Sequence, residues 1–426
     1  MLNRYWRFFL IPLLFFSLVQ TDAEAAQLLT WQDCIREAAV NHPDLIAAEE
    51  GLKQSQANKK ITASTLLPQV SSNLSASTTK TTTSGSGSST SDSYSYGVTA
   101  KQLLFDGTKT INEVKADSEN IKASQQNFRF ISVTVRLRLR TAFINLLKAQ
   151  EMLQITEEIF NIRRENLELI TLRYESGLEH KGALLTAEAD LAEAKYEISQ
   201  AKRDAEVAQR ELTKEMGRTQ LVPIEAKGDF EVKDTAKEKP DFESLAKNNP
   251  SLQQLIARKN AAAFSLKSAY ANFSPTLSTE AGANKFGSHW LPQDDKWSMG
   301  LTLSMPIFEG GLRFAQVSTA KSLLNQLGAN ERSTRDDIVL TLELTWAALQ
   351  DTMDKVEVER KSLTADEERF RIAQAQYSTG FIAFDNWIII EDNLIMAKRS
   401  FLDARANALL AEANWIQAKG ETLEYE

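Results

Sequence analysis

The chain has 426 residues, a net charge of −8 and one cysteine, Cys34. Its 49 basic residues are interspersed with 57 acidic ones, which argues against a nucleic-acid partner. A lone cysteine cannot form an intrachain disulfide, so packing must stabilise the fold, and we expect Cys34 to be a small buried residue of an early helix. His42, His180 and His289 are far apart, and no metal-ligand, nucleophile-elbow or phosphate-loop motif occurs, so no enzyme, cofactor or metal site is predicted.

Residues 1–25 are predicted to be a secretory signal peptide. Arg4 and Arg7 precede an apolar run from Phe8 to Val19, and Ala23-Glu24-Ala25 is a small-x-small cleavage site. The run has about a dozen residues, fewer than the roughly 20 that a membrane-spanning helix needs. We therefore expect cleavage after Ala25 and export from the cytoplasm.

The remaining chain contains two copies of one pattern. The matching segments are Asn41–Leu45 with Asn248–Leu252, Leu104–Gly107 with Ile307–Gly310, Arg173–Gly177 with Gln376–Gly380, and Met216–Gly217 with Lys419–Gly420. The offset is 207 up to Pro68 and 203 from Phe105 onwards. Such a constant offset indicates two long structural repeats. We predict a first repeat at 26–217, a linker at 218–240, a second repeat at 241–420 and a tail at 421–426.

Each repeat is predicted to contain one strand hairpin, at about 66–105 and at about 273–308. Apolar and small polar residues alternate there, as in Val70–Ala76, Tyr94–Ala100, Leu277–Ala283 and Trp297–Met305. Segments of about 10 residues with one apolar and one polar face are typical of transmembrane strands in outer-membrane barrels. We expect flexible external loops at Thr78–Ser93 and Lys285–Asp295, and the first loop would contain the four extra residues of the first repeat.

Each repeat is also predicted to contain a helix of about 66 residues, or roughly 100 Å. These helices cover about 108–175 and 311–377, and shorter helices follow at about 183–216 and 386–419. Apolar residues recur at spacings of three and four, which favours side-by-side packing as coiled coils. Ile131–Arg140 alternates with period two instead, but no turn signal flanks it, so we predict a helix that is apolar on two sides. Arg136, Arg138 and Arg140 would then be solvated or ion-paired.

Four spanning strands cannot close a barrel, and an open sheet edge in lipid leaves backbone groups unpaired. Three chains, with twelve strands, are the smallest assembly that would hold an open pore. The predicted fold is therefore an α+β membrane channel, in which each chain adds four strands to a shared β-barrel and long antiparallel helices to a helical barrel.

These features resemble the TolC-type outer-membrane efflux proteins. The resemblance rests on the duplicated Asn-x-Pro-x-Leu starts, on Leu103–Gly107 and Pro306–Gly310 where strand turns into helix, and on the Tyr-x-x-Gly turns at Tyr174 and Tyr377. It implies a homotrimer in the outer membrane of a Gram-negative bacterium that extends into the periplasm. It also implies an equatorial belt that includes the linker with its strand-like Phe230–Val232.

The resemblance further implies partners and a mode of action. The channel would be the passive exit duct of a tripartite efflux system, would contact outer-membrane lipid, and would dock with a periplasmic adaptor and an inner-membrane pump of the resistance–nodulation–division or ABC type. A duct for type I protein secretion is the alternative, and a soluble periplasmic coiled-coil protein is a more remote one.

The turns after the long helices would form the periplasmic tips, with Tyr174, Gly177, Tyr377 and Gly380 as candidates for adaptor docking. In the best-known member of the family, an arginine and two aspartates close the second tip, but their positions here hold Ile382, Asn386 and Ile389. We therefore expect closure by aromatic and aliphatic packing, with Asp385 as a candidate for a ring of three charges. The pore-gate candidates are Phe381, Phe384, Asp385, Asn386 and Trp387.

Overall fold

The computed structural model describes residues 27–85, 87–220, 222–228, 230 and 238–423. The predicted signal peptide lies outside the described residues, as do residues 231–232 of the strand-like segment and the last three residues of the tail. Among the helices that are described, none has an apolar stretch long enough to cross a membrane.

The described part of the chain contains eight helices and six strands. In chain order they are β1 (Gln27–Leu29), α1 (Trp31–Asn41), α2 (Pro43–Ser64), β2 (Gln69–Thr83), β3 (Gly87–Phe105), α3 (Lys109–Glu175), α4 (Lys181–Glu215), β4 (Ile224–Ala226), α5 (Phe242–Asn248), α6 (Pro250–Ala271), β5 (Thr276–Gly287), β6 (Asp294–Ser304), α7 (Leu312–Ser378) and α8 (Phe384–Lys419). The order helix, two strands, long helix, helix therefore occurs twice. Both long helices have 67 residues, or about 100 Å, so the predicted long helices are confirmed.

The alternating segment Ile131–Arg140 is helical, as predicted, and lies in the middle of α3. This helix packs against α2, α4, α6 and α8, so more than one of its sides is covered, which is why apolar residues do not keep to one stripe. Arg138 pairs with Asp44 from α2. Arg136 is only 5% exposed and pairs with Glu421 at 3.3 Å, so it is ion-paired but not solvated.

The four long strands form one antiparallel sheet in the order β2-β3-β5-β6. Gln69 pairs with Lys101 in the first hairpin, and Thr276 pairs with Ser304 at the equivalent position of the second. Tyr96 pairs with Lys285 where the two hairpins meet. The alternating residues therefore lie on the two faces of a single sheet, as the pattern predicts.

The expectation of a flexible loop at Thr78–Ser93 is wrong. The ladder between β2 and β3 continues through this segment to the pair Thr83 and Gly87, so most of the expected loop is paired strand. The first hairpin has 15 paired positions and the second has 11, so the extra length of the first repeat lies in a longer ladder. The predicted loop at Lys285–Asp295 is likewise shorter than expected, because β5 and β6 remain paired to Phe286 and Asp294.

A compact region lies beside the middle of α3. Strand β1 pairs in parallel with β4, whose residues Ile224–Ala226 lie in the predicted linker. Both strands contribute to a core with Leu139 and Phe143 of α3, Leu212 of α4 and Cys34 of α1. Cys34 is fully buried, as expected, and this burial raises the pKa of its thiol to about 12. The cysteine is therefore a packing residue.

Candidate functional site

The two turns that follow the long helices have the same backbone geometry. Gly177 and Gly380 have φ values of 74° and 81°. Leu178 N–H donates to the Arg173 carbonyl at 2.8 Å, and Phe381 N–H donates to the Gln376 carbonyl at the same distance. This six-residue hydrogen bond around a left-handed residue is the Schellman ending of a helix. A Cβ atom added at either glycine would have no neighbour within 4 Å, so the positive φ angle alone favours glycine there.

A cluster of aromatic side chains packs inside the second tip. Tyr377, Phe384 and Trp387 form this tip cluster, together with Ile170 of α3 and Ala183 of α4. The Tyr377 and Trp387 rings stack with centroids 4.3 Å apart and an interplanar angle of 10°. All three aromatic side chains are buried. The gate candidates Phe384 and Trp387 therefore lie inside the packed tip of one chain, where they hold α7 and α8 against α3 and α4.

Polar contacts join the second tip to the first through Tyr377. Its hydroxyl donates to Glu179 Oε2 at 2.9 Å, and the Arg173 guanidinium lies 4.8 Å from the centre of its ring. Arg173 Nη1 also donates to the Tyr377 carbonyl at 3.3 Å. Burial and the hydrogen bond to Glu179 raise the pKa of Tyr377 well above its usual value. The phenol therefore stays neutral and keeps donating to the carboxylate.

The two tips differ in side-chain exposure. Tyr377 is 1% exposed, whereas Tyr174 at the equivalent position is 38% exposed. At the start of α4, His180 Nδ1 accepts from Ala183 N–H at 3.0 Å, whereas Ala383 provides no side-chain cap for α8. The remaining gate candidates Phe381, Asp385 and Asn386 are exposed, with Phe381 at 84%. The five predicted gate residues thus separate into a buried pair and an exposed trio.

A second group of side chains, which sequence reasoning missed, lies about 21 Å from the tip along α3. We call it the Arg163 cluster: Arg163 of α3, Asp190 of α4, and Glu391 and Asp392 of α8. The Arg163 guanidinium nitrogens lie 3.1 Å from Asp190 Oδ2, 3.1 Å from Glu391 Oε1 and 2.6 Å from Asp392 Oδ1. The only sequence signal is an acidic pair between the apolar runs Trp387–Ile390 and Leu394–Met396.

Burial dominates the electrostatics of the Arg163 cluster. Glu391 is 0% exposed, and its burial raises the pKa of the carboxyl to about 7, although Arg163 opposes this shift. Burial also raises the pKa of Asp190. Asn166 Nδ2 donates to Glu391 Oε2 at 2.5 Å. The cluster therefore connects three helices through carboxylates that are difficult to ionise together.

Comparison with known proteins decides the family. The model of the outer membrane efflux protein family matches residues 34–218 and 242–421, which is most of the chain. The chain belongs to this family. The resemblance to TolC-type channels that the repeated motifs predicted is therefore confirmed.

Related proteins agree with this assignment. The outer membrane efflux protein BepC of Brucella suis is 20% identical over 352 residues, which cover 80% of this chain and 74% of BepC. A crystal structure of CusC has a TM-score of 0.82 at 20% identity and covers 95% of both chains. The CmeC outer membrane channel of Campylobacter jejuni has a TM-score of 0.82 at 17% identity, with 92% of this chain and 86% of CmeC covered. The predicted α+β channel fold of the chain is thus confirmed.

Family membership also gives the location of the protein. Members lie in the outer membrane of Gram-negative bacteria and extend into the periplasm. The turns at Gly177 and Gly380 lie at the ends of the long helices, about 100 Å from the sheet. The relatives are efflux proteins and channels rather than enzymes. Within the described residues, no group of three or more His, Cys, Asp or Glu side chains could hold a metal ion.

Proposed function

We propose that three copies of this chain form the passive exit duct of a tripartite efflux system. In this proposal a periplasmic adaptor and an inner-membrane pump deliver the substrate, and the duct carries it across the periplasm and the outer membrane. The main support for this proposal is the four-stranded sheet, which has an exposed apolar face and two open edges.

The exposed face of the sheet has the chemistry of a lipid contact. Along β6, Trp297, Met299, Leu301 and Leu303 are all strongly exposed, with Trp297 at 82%, and they alternate with small or hydroxyl-bearing residues. Their cross-strand partners on β5 include Ala281 and Ala283. This alternation suits a strand with one face in hydrocarbon and the other lining water.

The open edges of the sheet support a trimer. Within the described residues, β2 pairs only with β3 and β6 pairs only with β5. An unpaired edge in hydrocarbon costs several kcal/mol for each backbone group, so β6 of one chain is expected to pair with β2 of the next. Three chains joined in this way give a closed barrel of about twelve strands with a lumen.

The long helix α7 supports the same assembly. Its buried residues within one chain are Leu342, Leu349, Phe370, Ala373 and Tyr377, which is a small share of 67. Leu323, Leu340, Leu344 and Val358 are exposed along the same helix. Neighbouring chains would cover these side chains and complete a tube of helices.

At the tip, we assign separate roles to the two groups of gate residues. Phe381, Asp385 and Asn386 are exposed and would form the narrowest part around the threefold axis, where Asp385 contributes a ring of three carboxylates. The buried pair Phe384 and Trp387 would fix the turn from behind. Tyr174 with Gly177 and the turn at Gly380 would present the docking surface for the adaptor.

Purified protein tests this proposal directly. We expect native mass spectrometry in detergent to give a trimer, and planar lipid bilayers to show conducting channels whose cation preference falls in Asp385→Asn. A monomeric protein without conductance would refute the duct, whereas an unchanged reversal potential would remove only Asp385 from the pore.

A photo-crosslinker at Leu178 should recover the adaptor and its pump, and an ATP-driven pump with a polypeptide cargo would favour type I secretion.

A further inference from the structure

The Arg163 cluster contains more acidic groups than its single cation can neutralise. One guanidinium contacts Asp190, Glu391 and Asp392, each at 3.1 Å or less. If all three carboxylates are ionised, the cluster carries an excess of two negative charges between packed helices. Because Glu391 is fully buried, no water shell compensates for its charge.

Groups on the surrounding helices do not supply the missing positive charge. On α4, the next charged neighbour is Glu193, which adds to the repulsion at Asp190. The facing part of α7 buries Phe370 and Ala373. Its charged side chains pair with each other on the exposed surface, Arg369 with Asp366 and Arg371 with Glu368. Among the described residues, Arg163 is thus the only cation in contact with Glu391.

The hydrogen bonding of Glu391 also favours a proton. Oε2 accepts from Asn166 at 2.5 Å, but no donor among the described residues makes a well-aligned hydrogen bond to Oε1. Arg163 Nε lies 3.1 Å from Oε1, close enough for attraction but outside hydrogen-bond alignment. A buried carboxylate oxygen without a donor is costly, and a proton on that oxygen removes both the charge and the need for a donor.

We propose that Glu391 is a proton-binding site that controls how firmly α8 is held to α3 and α4 just behind the tip. With the proton bound, the remaining carboxylates Asp190 and Asp392 share Arg163 and the three helices stay together. When the proton leaves, repulsion between the carboxylates weakens this contact. The effect on the tip rests on the proposed function. If the chain forms a duct, the weaker contact between α8 and its neighbours lets the ends of the helices move apart, and the duct opens.

The direction of the pH dependence follows from the sign of the shift. The pKa of Glu391 is about 7 in the packed arrangement and 4.5 for an ordinary glutamate. The protonated form therefore stabilises the packed arrangement at low pH, and this stabilisation is lost as the pH rises through about 7. For these two values, the equilibrium constant for separating α8 from its neighbours increases about tenfold between pH 6 and pH 8.

Hydrogen exchange of the full-length protein in detergent tests the proposal. We expect the protection factors of the α8 amides near Glu391 to fall about tenfold from pH 6 to pH 8 in wild type. Glu391→Gln cannot titrate and keeps a polar contact for Asn166, so it should show nearly equal protection at both pH values. Glu197→Gln is the matched control, because Glu197 of α4 pairs with Arg399 of α8 at 2.6 Å and keeps 23% of its side chain exposed, whereas Glu391 is fully buried. It should behave as wild type.

Either of two results would overturn the proposal: wild-type protection that does not change with pH, or a tenfold change that persists in Glu391→Gln. If Glu391→Gln does not fold, infrared spectroscopy of the wild-type protein tests the proposal instead. The band of the protonated carboxyl should be present at pH 6 and lost by pH 8. Both readouts are independent of conductance. A protein that does not conduct but shows the pH effect would refute the duct and leave the proton site.

Discussion

At the scale of single residues, Tyr377 links the two tips of the chain. Its ring stacks on Trp387, its hydroxyl donates to Glu179, and Arg173 lies against its other side. Glu179 belongs to the first tip and Tyr377 to the second, so a single phenol spans the two repeats. A hydrogen bond to a charged group contributes about 1.5–3 kcal/mol.

We predict that Tyr377→Phe loosens the tip without unfolding it. The phenyl ring preserves the stack on Trp387, but Glu179 loses a donor, so the equilibrium for tip opening should rise roughly tenfold, corresponding to about 1.5 kcal/mol. Open probability in planar bilayers measures this change. Tyr174→Phe is the control, because Tyr174 occupies the equivalent position of the first repeat and is exposed, at 38%. Equal open probabilities in the two variants would show that the hydroxyl does not restrain the tip.

Residue-level contacts mark the limit of prediction from this sequence. The sequence places Arg136 on a helix, but its partner Glu421 is 285 positions away, so neither the pairing nor the burial could be deduced. Similarly, Phe384 and Trp387 are recognisable as aromatic residues at the tip, but whether they face a pore or a core depends on how α3 and α4 pack. The Arg163 cluster brings together three helices that lie far apart in sequence.

At the scale of elements, helices were easier to predict than strand ends. The long helices lack proline and almost all glycine, and their ends agree with the sequence-based bounds to within one residue. The full length of the β2–β3 hairpin was not predicted because its outer part consists mainly of serine and threonine on both faces. Alternation of apolar and polar residues reveals a strand only where one face of the strand is apolar. In the outer part of the hairpin both faces are polar, so the alternation stops although the backbone ladder continues.

We predict that the outer part of the first hairpin can be shortened without loss of folding. Removing Thr81, Thr82, Ser88 and Ser89 together deletes two residues from each strand, which preserves the faces and removes the four residues by which the first repeat exceeds the second. The variant should reach the outer membrane in wild-type amounts, as measured by fractionation and heat-resistant oligomer on gels.

Deletion of Asn73 alone is the control for the hairpin. One missing residue in β2 moves Leu74 and Ala76 to the polar face or breaks their pairing with Tyr96 and Tyr94. We expect this variant to be degraded instead of inserted. If the four-residue deletion is lost to the same extent, the outer part of the ladder contributes to assembly and the prediction is wrong.

At the scale of the whole molecule, the sheet and the helices place opposite demands on the chain. The sheet leaves its apolar face exposed because that face contacts lipid in the proposed assembly, whereas the helices bury apolar residues against one another in water. Duplication accommodates both demands, because each repeat provides a hairpin at one end and a helix pair at the other. The copies then diverge at the tips, where Glu179 and His180 occupy one turn and Ile382 and Ala383 the other.

The two faces of β6 allow a test of the whole assembly with neighbouring residues. Leu301 pairs with Thr279, Thr302 pairs with Ser278, and consecutive side chains point to opposite faces. In the proposed trimer, Leu301 contacts lipid in all three chains and Thr302 lines the lumen. An arginine on the lipid face near the middle of a membrane costs about 2–4 kcal/mol per chain, and a trimer multiplies this cost by three.

We predict that Leu301→Arg strongly reduces the amount of trimer in the outer membrane, whereas Thr302→Arg assembles normally and lowers the cation preference of the channel. Fractionation followed by native mass spectrometry measures assembly, and the reversal potential in bilayers measures selectivity. If the two variants assemble equally well, the exposed face of β6 does not contact lipid. If Thr302→Arg fails and Leu301→Arg assembles, the faces of the sheet are inverted relative to the membrane, and the proposed barrel cannot form from this register.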